Sequence, residues 1–121
     1  MLNREKAEEI WDTTLKNGGG TFIAGNGKPY DGETGFVVAV NREADYIIRV
    51  EHPDVGIEAI RGTARAYPYG YLGTWVFEES VYIEPVEIFH SRAEALDYAR
   101  DRRQKAIFDL STKESIYVSR R

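Results

Sequence analysis

Apolar residues recur at two spacings along this chain, and each switch of spacing marks a boundary between elements. Ala7, Ile10, Trp11, Thr14 and Leu15 fall at i, i+3, i+4, i+7 and i+8, one stripe of an α-helix. The spacing predicts a helix over residues 4–16. Asn3 stands where an N-cap side chain would close the first turn, a device worth about 1 kcal/mol. Asn17 and the glycines at 18–20 end the helix, because glycine takes the left-handed backbone without steric cost. Trp11 is expected to anchor this helix to a sheet.

Residues 21–24 predict a short strand, and residues 36–40 and 46–50 two more, rich in β-branched and aromatic side chains. The NREAD segment between the last two predicts a hairpin. The earlier segment GNGKPYDGETG, residues 25–35, is dense in turn formers and is expected to be a loop. Helical spacing returns at Ile57, Ile60, Ala64 and Tyr67. It predicts a short helix over 53–67, although Gly56 and Gly62 each weaken a helix by about 1 kcal/mol relative to alanine. Pro68 and Gly70 then force AYPYGY, residues 66–71, into a loop.

The densest run of signals lies between Tyr71 and Leu110. Residues 72–77 and 80–84 predict a hairpin turning at Glu78 and Glu79, with Pro85 ending the second strand or placing it at a sheet edge. Ser91 and Glu94 form the S-x-x-E pattern of a capping box, so a helix begins at Arg92. Ala95, Leu96, Ala99, Arg103 and Ala106 fall near one face of it, small enough in part to sit close to a sheet. Residues 107–110 and 115–119 make a last hairpin around STKE, and Arg120 and Arg121 are expected to fray. Trp75, Val81, Ile83, Leu96 and Ile107 are the expected core. The order α-β-β-β-α-β-β-α-β-β, joined by short turns, predicts a single α+β domain over residues 1–121. Its mostly antiparallel sheet should carry two or three helices.

Composition narrows the classes of function. A chain of 121 residues is long enough for one well-buried core and short for two. The net charge of −4 lacks the basic field that sequence-independent nucleic-acid or membrane binding requires. The absence of cysteine excludes disulfides, thiolate metal sites and cysteine nucleophiles. No run of 18 apolar residues offers a membrane span. MLNREKAEEIW has no apolar run of the signal-peptide kind. The expected compartment is the cytoplasm, host cytoplasm if the chain is phage-encoded.

Candidate chemistry is sparse. Gly27-Lys28 is no phosphate loop, since Phe22 occupies the position of its first glycine and Pro29 that of its magnesium-binding hydroxyl. If this loop binds a ligand, Lys28 and Tyr30 are its contact residues. His52-Pro53-Asp54 matches the tripeptide of J-domain co-chaperones, but a strand rather than a basic helix precedes it; a turn leading into a helix accounts for it. His52 and His90 show no metal-ligand spacing, no nucleophile elbow exists, and no cofactor motif is present. Glu78, Glu79, Glu84 and Glu87 cluster in sequence, yet strand alternation sends neighbours to opposite faces, as a solvated edge would. Residues 100–105 carry Arg100, Arg102, Arg103 and Lys105 against Asp101. Cations there suit a helix C-terminus, or Arg100 and Arg103 could meet an anionic partner. Tyr67, Tyr69 and Tyr71 share one loop with Trp75 close behind. Tyrosine offers large contact area at low entropic cost, so that loop is either a recognition surface or a lid over the sheet.

The segments GGGTF (18–22), GFVVAV (35–40), LGTW (72–75), VYIEP (81–85), SRAEAL (91–96) and QKAIFDL (104–110) together resemble small uncharacterised proteins of actinobacterial phages and mobile elements. Such proteins are expected to carry an aspartate where Glu84 stands. The resemblance implies no established activity, cofactor or catalytic residues, and it does imply an accessory protein of a phage or mobile element. The expectation is a non-enzymatic protein that binds a host or viral protein. A nucleotide-sequestering protein using Lys28, Tyr30 and the 100–105 cluster is the alternative, and a small hydrolase built on the glutamates the third reading. An exposed sheet edge would also permit a homodimer.

Overall fold

The computed structural model describes residues 2–119; the two terminal arginines lie outside them. The elements follow the predicted order: α1 (Arg4–Asn17), β1 (Gly19–Ile23), β2 (Phe36–Ala39), β3 (Tyr46–Arg49), α2 (Pro53–Ala66), β4 (Tyr71–Phe77), β5 (Ser80–Phe89), α3 (Arg92–Asp101), β6 (Ala106–Asp109) and β7 (Glu114–Tyr117). The fold is α+β, one small domain whose described residues form three helices and a seven-stranded antiparallel sheet. The caps act as their chemistry requires. Asn3 Oδ1 accepts from the Lys6 N–H at 2.8 Å, Gly18 closes α1 at φ 85°, and Ser91 Oγ accepts from the Glu94 N–H at 3.2 Å.

The strand order is β1-β4-β5-β2-β6-β7, with β3 also on β5. This corrects the expected hairpin between residues 36–40 and 46–50. β2 pairs with 86–89 of β5 and β3 with 80–83, so the two short strands lie end to end along one edge of a long one. Nor does Pro85 end β5. The Val40 N–H donates to the Pro85 carbonyl at 3.0 Å, so Pro85 turns its backbone toward the junction between β2 and β3. The ladder with β2 ends there, at Ala39 and Val86, so the N–H that proline lacks costs at most one bond at its end.

All three helices cover one sheet face. Trp11, Ile10, Phe22, Ile57, Ile60, Leu72, Val81 and Ile83 form the larger core under α1 and α2; Val38, Ala95, Ala99 and Ile107 form a second under α3. Trp11 is buried as expected, but its ring lies against α2 as well: a Cβ built on Gly56 would sit 2.1 Å from it. The glycine that weakens α2 as a helix is what lets the two helices approach. Thr14 ties α1 to β4. Its hydroxyl donates to the Ile10 carbonyl at 2.7 Å, so in the 2.6 Å pair with Thr74 it accepts the Thr74 proton.

Two substitutions in α2 should therefore part company. Gly56→Ala should lower unfolding free energy by about 2 kcal/mol through overpacking. Gly62→Ala meets only the Tyr46 hydroxyl at 3.3 Å and should be neutral or stabilise by about 0.5 kcal/mol. Denaturant titration of both variants checks this; equal effects would refute the Trp11–Gly56 contact. The β4–β5 turn is a second test. Glu78 and Glu79 both hold positive φ, 47° and 65°, the conformation that Asn-Gly adopts without strain in a two-residue hairpin. Replacing the pair by Asn-Gly should raise stability by about 1–2 kcal/mol, since the Arg49–Glu79 contact it removes is exposed.

Candidate functional site

The candidate residues named from sequence occupy three separate places. Lys28 is exposed on the turn after β1, where its N–H binds Asn26 Oδ1. Tyr30 belongs to a segment that folds back over the helix-free sheet face. Its ring meets Tyr71 edge-on, 5.4 Å between centroids, and both pack on Val37, Val86 and Leu110. Residues 25–35 are thus partly a lid over the sheet. Tyr67 is half-buried, its hydroxyl accepting from Asn41 Nδ2 at 3.2 Å, while Tyr69 projects fully into solvent. The tyrosine and glycine loops do adjoin: Leu2, Ala24, Gly25, Ala64, Pro68 and Tyr69 line a cleft of about 450 Å³. A shallower groove of about 540 Å³ runs between residues 30–34 and 110–113.

The basic cluster is largely occupied by its own helix. Arg100 pairs with Asp97 at 2.9 Å, and the Arg102 guanidinium lies 3.6 Å over the Tyr98 ring. Arg103 is exposed just past the helix end at φ 55°. α3 packs over β2, β5 and β6, whereas Lys28 follows β1 at the far end of the sheet. Lys28 and the arginines therefore share no site. The glutamates are also dispersed. Glu78 and Glu79 form the turn, Glu84 lies on the helix-free face, and Glu87 lies on the other face near Tyr98. Among the described residues no three His, Asp or Glu side chains gather as a metal site.

What the sequence concealed is the helix-free face itself. Strand alternation puts Tyr71, Gly73, Trp75 and Phe77 of β4 on it, with Tyr82, Glu84 and Val86 of β5 and Ile47 of β3. The lid of residues 30–35 and the 110–113 turn cover one end, burying Val37, Val86 and Leu110. The other end is bare. Trp75, expected in the core, is 50% exposed; Phe77 is 50% and Ile47 56%. Ile47, Tyr82, Trp75 and Gly19 stand abreast across four strands, and Phe77 meets Tyr82 edge-on at 6.4 Å. A signal was present: in YLGTWVF both alternating sets are bulky, so both faces of β4 are apolar, and the three helices cover only one.

Glu84 sits in the next row of this face, opposite Gly73, which raises no side chain, and Thr21 beyond it. Asp45, the residue before β3, continues that register beside Glu84. Burial pushes the Glu84 carboxyl up to about 7, and the Asp45 carboxylate adds to the shift. Among the described residues no lysine or arginine pairs with either acid; Asp45 accepts from Asn41 Nδ2 at 2.8 Å.

Compared with protein-family models, curated proteins and solved structures, the chain matches none.

The raised carboxyl makes stability depend on pH in a definite direction. Between the ordinary 4.5 and about 7 the folded chain holds a proton that the unfolded chain has released, so stability falls as pH rises through that window. The cost is complete above pH 7 and amounts to about 2–3 kcal/mol after allowing for residual solvent contact. Glu84→Gln should match the parent near pH 4.5 and exceed its unfolding free energy by about 2 kcal/mol at pH 8. Parallel pH profiles for the two proteins would refute the burial of this carboxyl.

Proposed function

We propose that this chain is a non-enzymatic binding module that docks a partner protein on the bare end of its helix-free sheet face. One observation carries the reading: Ile47, Trp75 and Phe77, each at least half exposed, adjoin the partly buried Tyr82 on a regular, hydrogen-bonded sheet. Large contiguous apolar surface is costly to leave in water, and where it persists it marks an interaction site. Tryptophan, tyrosine and phenylalanine are also the side chains that dominate the buried centres of protein interfaces. A sheet holds them with little loss of freedom on binding, because their backbone is already ordered. The resemblance to small phage and mobile-element proteins supports a host or viral protein as the partner, and hence a role as an accessory factor.

Trp75→Ala combined with Phe77→Ala should abolish partner capture and photo-crosslinking from this face, while stability falls by no more than about 2 kcal/mol because both side chains are half in water. Tyr69→Ala, on the tyrosine loop, should leave capture intact. The reverse pattern would place the contact on that loop and overturn the assignment of the face.

A further inference from the structure

We infer that the segment received on this face is basic, and that it seats a lysine or arginine side chain against the Glu84 and Asp45 carboxyls with the Trp75 and Tyr82 rings alongside. This rests on the protein-binding reading above and adds the partner's chemistry to it.

Charge complementarity is the ground. Among the described residues, the bare end of the face carries two neighbouring acids and no cation outside an ion pair. Arg49, the basic side chain that alternation puts on the same face of β3, is engaged by Glu51 at 2.7 Å and Glu79 at 3.3 Å. The groups around Glu84 are Asp45 ahead of β3, Tyr82 and Val86 on β5, and Gly73 on β4, with Trp75 and Tyr71 diagonal to it and Thr21 beyond on β1. None of these is cationic. An arriving ammonium or guanidinium would supply the counter-charge that the fold withholds from Glu84. The electron-rich faces of Trp75 and Tyr82 would attract the same group. Gly73 matters sterically. It raises no side chain beside Glu84, and the Val86 side chain closes over it, 2.6 Å from where a Cβ would stand. The aliphatic stem of a lysine or arginine suits such a surface, with apolar length along the rings and charge at the acids.

Ionisation of Glu84 and arrival of the cation are linked. A neutral Glu84 gives the cation little, so the bound state selects the ionised form, and affinity should rise about tenfold between pH 6 and pH 8 for a group titrating near 7.

The test uses four nine-residue synthetic peptides, identical and leucine-flanked except for a central Lys, Arg, Gln or Glu. They are titrated into the isotope-labelled chain while the indole N–H signals of Trp75 and the buried Trp11 are followed. The inference expects the Lys and Arg peptides to move the Trp75 signal and not that of Trp11. They should bind at least tenfold tighter than the Gln peptide at pH 8, and the Glu peptide should bind weakest. Glu84→Gln, which removes the burial penalty on that carboxyl, should cut the Lys-to-Gln preference at least threefold and remove the pH dependence. Equal binding of the Lys and Gln peptides at Trp75 would overturn the basic-partner inference and leave the docking face standing. A Trp75 signal unmoved by any peptide would overturn both. A concentration-dependent dimer that Trp75→Ala dissolves would assign the face to a second copy of this chain and likewise overturn the inference.

Discussion

The ten residues of β5 hold the molecule together because both of its edges are filled along nearly their whole length. β4 covers one edge from Ser80 to Val86, and β3 and β2 divide the other between them. Every other part of the fold is placed by that division. Because β2 leaves β5 at Val86 and β3 joins it at Ile83, the chain between them passes a junction at Pro85, whose carbonyl takes the Val40 N–H. Proline, ordinarily a signal against a central strand, is tolerated there because the ladder to β2 ends beside it.

The division of β5 also explains why one face of the sheet is left bare. α1 and α2 need the β1-β4-β5 side to bury Trp11, Ile10 and Ile60, and α3 needs β2 and β6 to bury Ala95 and Ala99. Both needs fall on the same face, since β5 alternates without a bulge from Val81 through Phe89. The helices approach closely because small residues permit it: Gly56 against Trp11, and Ala95 and Ala99 against Val38. Among the described residues the lid of residues 30–35 and the 110–113 turn cover the opposite face, and they lie at the β2-β6 end. The aromatic patch is thus what a seven-stranded sheet with three one-sided helices leaves over.

Local chemistry made the elements legible, and only local chemistry. The stripes at Ala7, Ile10 and Trp11 and at Ile57, Ile60 and Ala64, the caps at Asn3 and Ser91, and the turn at Glu78 and Glu79 each depend on residues a few positions apart. All of them stand in the structure. The partnership of strands was not local. A short link between 36–40 and 46–50 suggests a hairpin, but the longer β5 offers both strands a better-matched edge, and the link bridges a junction instead. Trp75 shows the same limit. Alternation in YLGTWVF defines two apolar sets, and which one the helices cover depends on residues far away in sequence. The sequence offers Tyr30 and Tyr71 as possible contacts; their mutual packing follows from the fold-back of residues 28–30 onto β1, where the Tyr30 N–H donates to the Thr21 carbonyl at 2.8 Å.

Glu84 is the residue at which the fold and the proposed function pull apart. As scaffold it is a poor choice: a carboxyl whose ionisation is opposed by burial and by Asp45, with no cation among the described residues paired to either, on a surface otherwise built of rings and aliphatic groups. A glutamine of the same shape would carry no such penalty near neutral pH. Packing therefore gives no reason for an acid at this position, whereas recognition of a cation gives a direct one. Unpaired charge raises the energy of the empty face, and under the proposed reading a complementary cation would lower it by relieving that same cost, so the penalty borne by the free protein would become part of the discrimination between partners. The aromatic patch alone would accept many apolar segments; the acid set among its rings would make it selective.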